Sequence, residues 1–210
     1  KNTKIQNNQC INKNTGRVIS AIMPVHVFGF IGDMISLKKI ADEFKISIIE
    51  DSTEALGSFK NNQHAGTFGK CGCISFNGNK IITTGGGGAL ITNDFELAEK
   101  ARHLSTTAKL DHQFEYKHDQ IGYNYRMPAI NAALGLSQLK KINIFLKNKE
   151  KLRNNYIKNF NNIEGLLFFK GPRDCNSNYW LNSIILDNNV YQFQNDILKK
   201  LNDFGFGCRP

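Results

Sequence analysis

The chain has 210 residues, 40% of them hydrophobic, and its 27 lysines and arginines against 18 aspartates and glutamates give a formal net charge of +9. That length and apolar content suffice for one sizeable core, or a core with a small appendage. No apolar run approaches the roughly 20 residues that cross a bilayer, and the stretch 1–17 is too polar and asparagine-rich for a secretory leader, so the expectation is a cytoplasmic protein with no membrane partner.

In chain order, residues 6–14 are polar and read as a segment without fixed structure. Val18–Met23 predicts a strand, Met34–Phe44 a helix and Ile46–Ile49 a strand that runs into two acids, Glu50 and Asp51, with a helix starting near Thr53. Gly72–Phe76 and Ala89–Thr92 read as strands, and Asp94–Leu104 as a helix capped by Asn93 or Asp94. Pro128 stands where a helix begins, and Ala129–Phe160 reads as one long or broken helix. Beyond Asn161 the character changes: Leu166–Phe169 and Trp180–Leu186 are strand-like, with a helix near Gln192–Leu201. Strands alternating with helices favour an α/β sheet with helices packed on it. Residues 1–160 are expected to be part of a large domain and 161–210 the beginning of a small one.

The positive charge invites a nucleic-acid reading, but the lysines are scattered. The densest group, Lys140 to Arg153, lies on a helical stretch whose apolar residues Leu136, Leu139, Ile142 and Leu146 recur at three- and four-residue spacing. That pattern is a solvated outer face, and no nucleic-acid partner is expected. Cys10, Cys71, Cys73, Cys175 and Cys208 form an odd set without paired C-x-x-C spacing, so they read as free thiols and no metal site is expected.

Chemistry concentrates at Lys80. It closes Ser75-Phe-Asn-Gly-Asn-Lys80 and precedes Thr83-Thr-Gly-Gly-Gly-Gly88, which puts an amine beside backbone suited to holding phosphate. A Walker A loop is excluded, because there the lysine closes the glycine run. Upstream, Asp51 ends a strand, and ligands of open α/β sheets sit at carboxyl ends of strands. A pyridoxal-phosphate site needs a lysine for the Schiff base and an acidic or basic partner for the pyridine nitrogen; Lys80 and Asp51 fit that pair. Asp51 also suits an N-cap, and the two roles can coexist.

Five stretches in order, Pro24–Gly29, Ile49–Gly57, Gly66–Gly69, Ser75–Gly88 and Gly122–Met127, make the chain resemble the DegT-type nucleotide-sugar aminotransferases, pyridoxal-phosphate enzymes of fold type I. The resemblance is good over residues 17–160. Its wording is closest to the branch that aminates C4 of keto-deoxy N-acetylhexosamine nucleotides. It implies a mostly parallel sheet flanked by helices in the large domain, followed by the start of a small α+β C-terminal domain, with both ends cut. It also implies the cofactor pyridoxal 5'-phosphate, a nucleotide-sugar substrate with glutamate as amino donor, and a homodimer in surface-sugar biosynthesis.

Carried over to this sequence, the resemblance makes Lys80 the Schiff-base lysine and proton shuttle, and Asp51 the residue that keeps the pyridine nitrogen protonated. Ser75 bonds the cofactor phosphate, and Asn124 reaches the same phosphate from a neighbouring subunit. Glu54 stands near the cofactor ring where many relatives carry Gln or His. His26 lies at the site floor, where a contact with cofactor or substrate competes with a histidine satisfied inside its loop. His118 approaches a subunit interface, and His64, in a polar turn, faces solvent. Gly86 replaces a glutamate common in the family, which implies a more mobile loop. A dehydratase branch of the same fold replaces the lysine by histidine, and Lys80 argues against it. The remaining alternative is a non-catalytic fragment that binds a nucleotide sugar.

Overall fold

The computed structural model describes residues 2–210. Strands β1 (Thr3–Gln6) and β2 (Gln9–Asn12) form an antiparallel hairpin that turns through Asn7 and Asn8, at φ 49° and 63°. A two-residue hairpin turn with both residues at positive φ suits asparagine. The polar segment expected to lack structure is therefore folded, and it buries Cys10. β3 (Val18–Ile19) joins this hairpin, whereas β4 (Ala21–Ile22) belongs to the main sheet, so the single strand expected over 18–23 divides at Ser20 between two sheets.

After one 3-10 turn at Val27–Gly29 comes α1 (Met34–Phe44), whose first turn is capped by Asp33 Oδ1 accepting from the Ser36 N–H at 3.1 Å. Lys45 ends the helix in the left-handed region, and β5 (Ser47–Asp51) follows. β6 (Phe59–Lys60) and β7 (Gln63–His64) make a small hairpin; β8 (Cys71–Ser75) and β9 (Gly88–Ile91) complete the main sheet in the order β4-β5-β8-β9. The first three strands are parallel and β9 is antiparallel, giving the expected α/β architecture. Met34 and Ala41 of α1 cluster with Ile48 of β5 and with Ile31, Ala55 and Ala65, and Ile22, Leu37, Phe68 and Cys175 pack on that group. Burying each large aliphatic here stabilises the fold by about 1.5–3 kcal/mol.

Gly72 is a glycine that the fold requires. A Cβ there would stand 2.4 Å from the Gly66 Cα, where the 66–69 loop crosses β8. Gly72→Ala is expected to lower stability by about 3 kcal/mol, the upper end of overpacking costs. Urea unfolding measures it, and an unchanged midpoint would show that the loop moves aside freely.

α2 (Phe95–Ser105) starts at Asp94, whose Oδ1 accepts from the Leu97 N–H at 3.0 Å. α3 (Ala129–Leu139) and α4 (Ile142–Phe160) are the broken form of the helix expected over 129–160; the break falls at Lys140–Lys141, where the Lys141 N–H bonds the Gln138 carbonyl three residues back instead of four. β10 (Leu166–Phe168), β11 (Cys175–Asn176), β12 (Ile184–Leu186), α5 (Asn188–Tyr191) and α6 (Gln194–Asp203) complete the chain. β10 pairs with β12, while β11 adds to β6, Cys175 opposite Lys60. The last fifty residues are thereby stitched to the first part of the chain. Trp180 precedes β12 rather than opening a strand, because its N–H is turned to the Asn178 side chain. No helix among the described residues is long and apolar enough to cross a membrane.

Candidate functional site

β5 and β8 end side by side, Asp51 opposite Cys73 in register, so Asp51 and Ser75 stand at the carboxyl edge of the parallel strands. Asp51 Oδ1 accepts from the Thr53 N–H at 3.1 Å and from the Thr53 hydroxyl at 2.7 Å. No helix begins at Thr53, so this is an Asx-type turn rather than an N-cap. The Asp51 backbone is strapped as well: its N–H donates to the Pro24 carbonyl and its carbonyl accepts from the His26 N–H. Ser75 Oγ accepts from the Asn77 N–H at 3.3 Å.

Lys80 lies in the turn after β8, with its N–H bonded to the Asn77 carbonyl and its side chain 14% exposed. Its Nζ stands 3.6 Å from Glu54 Oε1 and 4.0 Å from the centre of the Trp180 ring. Glu54 is held in turn by the Phe28 N–H, which donates to Oε2 at 2.8 Å from a residue at φ 56°. A cavity of about 370 Å³ opens beside the amine, lined by Lys80, Ile81, Phe145, Asn148, Lys149 and Leu152. Burial pushes the Lys149 amine below the usual lysine range. Lys149 is thus turned inward, from the helix face expected to be solvated.

The glycine-rich turn is tied to α3. The Thr83 N–H donates to Gln138 Oε1 at 3.0 Å, Asn131 Nδ2 donates to the Thr84 carbonyl at 2.5 Å, and the Thr84 hydroxyl donates to the Gly86 carbonyl. The motif Gly122–Met127 runs along the end of α2: the Tyr123 N–H donates to the Leu104 carbonyl, the Tyr125 N–H to that of Ser105. This path requires Gly122, since a Cβ there would lie 2.4 Å from the Thr107–Ala108 backbone. Asn124 is left exposed on this strip, bridged to Thr106. His118 is exposed too, its Nδ1 2.7 Å from the Thr107 carbonyl.

The structure therefore brings Lys80 and Glu54 together, places Asp51 and Ser75 on the same sheet edge, seats His26 in the core and leaves Asn124 on the surface. The His26 ring is 1% exposed, with Nε2 2.8 Å from Glu50 Oε2. Glu50 Oε2 also accepts from the Gly66 N–H, and Oε1 accepts from the N–H groups of Phe68 and Gly69 at 2.6 Å each. Burial pushes the Glu50 carboxyl up, but the bonds from His26, Gly69 and Gly66 outweigh it and hold the group below the usual glutamate range. His64 corrects its expectation: it is half-buried, Nε2 accepts from the Gly57 N–H at 2.9 Å, and Nδ1 stands 2.5 Å from the Ala65 carbonyl. Burial lowers its pKa.

Two residues of this region were assigned no role from sequence. Glu50 shares the buried face of β5 with Ile48, two residues away, and an acid in phase with a core aliphatic is the signal that marks it. Trp180 stands 100 residues from Lys80 in the chain, and no local pattern links them.

A lysine amine beside a carboxylate, at the carboxyl edge of parallel strands and next to a glycine-rich turn, is an arrangement of the α/β aminotransferase class. Comparison with known proteins agrees. The model of the DegT/DnrJ/EryC1/StrS aminotransferase family matches residues 3–210, and the chain belongs to that family. The match extends through the last fifty residues. GDP-perosamine synthase of Escherichia coli O157:H7 is 40% identical over 165 residues, covering 79% of this chain and 44% of that protein. Among solved structures, Helicobacter pylori PseC, an aminotransferase involved in the biosynthesis of pseudoaminic acid, superposes with a TM-score of 0.84 at 32% identity, covering 93% of this chain and 52% of that one. Escherichia coli GDP-4-keto-6-deoxy-D-mannose-3-dehydratase with bound hydrated PLP gives 0.82 at 27%, covering 91% and 53%. The chain spans about half the length of the curated relatives it matches.

Proposed function

We propose that the protein transfers an amino group from an amino acid, glutamate by family habit, to a keto group of a nucleotide-linked deoxyhexose for surface-polysaccharide synthesis. The observation that carries this reading is the Lys80 amine, held between Glu54 and the Trp180 ring at the strand edge that also bears Asp51. PseC and GDP-perosamine synthase, by their names, act in amino-sugar chemistry of this kind. The dehydratase alternative is disfavoured by the lysine itself.

The residues present fit pyridoxal phosphate. Asp51 commits only Oδ1 to Thr53, which leaves Oδ2 for the pyridine nitrogen. Ser75 Oγ accepts from Asn77, so its own O–H is left to donate to a phosphate oxygen. When bound, the cofactor supplies an electron sink for charge developing at carbon. Lys80 then takes the proton from the α-carbon of the donor and returns a proton to the sugar carbon as general acid. Glu54, fixed by the Phe28 N–H, orients the amine between these two transfers.

The rest of the reading concerns assembly. Ile121, Tyr125 and Ile130 are 84%, 75% and 81% exposed around the strip that carries Asn124. An apolar, aromatic surface of this kind suits a second copy of the chain, and we place Asn124 there, reaching the partner's cofactor phosphate. His118, also exposed, precedes that strip in the chain. A cytoplasmic location suits nucleotide-linked substrates. The experiment is to load the whole protein with pyridoxal phosphate, reduce with borohydride and map the pyridoxyl group by peptide mass spectrometry. A pyridoxyl group on Lys80 is expected. Its absence from Lys80, with the protein folded, overturns the reading.

A further inference from the structure

The Lys80 amine faces the Glu54 carboxylate at 3.6 Å and the ring of Trp180 at 4.0 Å. That ring is unusually well fixed for a residue outside any strand or helix. It is 4% exposed. Its indole N–H donates to the carbonyl of Asn79, the residue before Lys80, at 2.6 Å. Its backbone N–H donates to Asn178 Oδ1 at 2.9 Å, and its carbonyl accepts from Lys149 Nζ of α4 at 3.0 Å. Asn178, itself 1% exposed, donates from Nδ2 to the carbonyls of Glu54 and Leu56. The segment that holds the ring therefore also holds the backbone of the other group that faces the amine.

We infer that Trp180 is a positioning residue for Lys80: its indole face is the resting place of the free ammonium, and its N–H fixes the turn from which the lysine projects. A ring face attracts a cation without a directional hydrogen bond. Lys80 is held in place by it and by a carboxylate beyond hydrogen-bond length, so the amine leaves this position without breaking a short bond. The Asn178–Trp180 segment makes that position depend on the C-terminal part of the chain. The inference rests on the proposed function only in treating Lys80 as the reacting amine; the contact itself is independent of cofactor.

The test is trace labelling of the cofactor-free protein with an amine-selective acylating reagent at fixed pH, with Lys80 quantified against the exposed Lys38 by peptide mass spectrometry. Glu54 and Lys149, charged groups that border this region, are unchanged in every variant used. Trp180→Leu is expected to raise relative labelling of Lys80 about fivefold, the scale of a lost partly buried cation–π contact. Trp180→Phe, which keeps a ring face but no N–H, should recover most of the wild-type protection. A purely structural tryptophan would leave the Lys80 to Lys38 ratio unchanged in a folded variant, and that result overturns the proposal.

If Trp180→Leu does not fold, the fluorescence of Trp180 itself carries the test on this 210-residue chain, in which it is the one tryptophan. Lys80→Met should raise its emission by removing a quenching ammonium, and an unchanged spectrum overturns the contact. Failure of the borohydride experiment with success here would refute the cofactor assignment alone; the reverse would refute only the role of Trp180.

Discussion

Lys80→Ala in the whole protein is expected to lower amino transfer by at least about 10⁴-fold, because one amine serves as both nucleophile and proton carrier. Lys80→Arg is the sharper variant. It keeps a cation beside Glu54 and over Trp180, but a guanidinium is protonated at any working pH and accepts no proton. Both variants should be equally inactive when release of the 2-oxo acid from the donor is followed in the presence of a nucleotide-linked keto sugar. Activity retained by Lys80→Arg would show that charge, not proton transfer, is what the position supplies. Lys149 lines the same cavity with an amine that burial holds below the usual lysine range. Any residual turnover of Lys80→Ala is therefore expected to vanish in Lys80→Ala/Lys149→Met.

The α/β plan was legible in the sequence because strand and helix periods alternate cleanly from Met34 to Ser105, and the start of α2 was marked by Asp94. Ser75, Lys80 and the glycines that follow sit within fourteen residues of one another, so their proximity was readable too. What was hidden depends on distance along the chain or on competing local bonds. The 6–14 segment is polar in composition, yet paired asparagines at positive φ close a hairpin there. Asp51 had the look of a helix cap, but the Thr53 hydroxyl competes for the same oxygen and the chain turns without a helix. Trp180 reaches Lys80, and β11 reaches β6, only after a hundred residues or more. Pairings of that span are set by the assembled core.

Glu50 is where the largest loss of stability is expected. Its two oxygens accept from three backbone N–H groups and stand against His26, all around a side chain with no exposure. Glu50→Ala leaves those donors buried without an acceptor. The expected cost is about 3–5 kcal/mol, the range for breaking a buried pair from one side, read as a lower urea midpoint. Glu50→Gln keeps one carbonyl oxygen but turns an NH₂ toward donors, so it should lose roughly half as much. The charge also fixes a pH signature. The folded carboxyl lies below its ordinary value of 4.5, so its contribution is complete above that value and is lost as pH falls through the folded pKa. The stability gap between wild type and Glu50→Gln should thus be constant near neutrality and narrow below about pH 4.5. A gap that stays constant from about pH 7 to about pH 3 would mean that shape, not the carboxylate's charge, holds the 66–69 loop on β5. The consequence reaches the site: the residue after Glu50 is Asp51, and the loop that Glu50 anchors crosses β8 at Gly72, three residues before Ser75. One buried carboxylate thereby sets the spacing of the two strand ends that carry the candidate cofactor contacts.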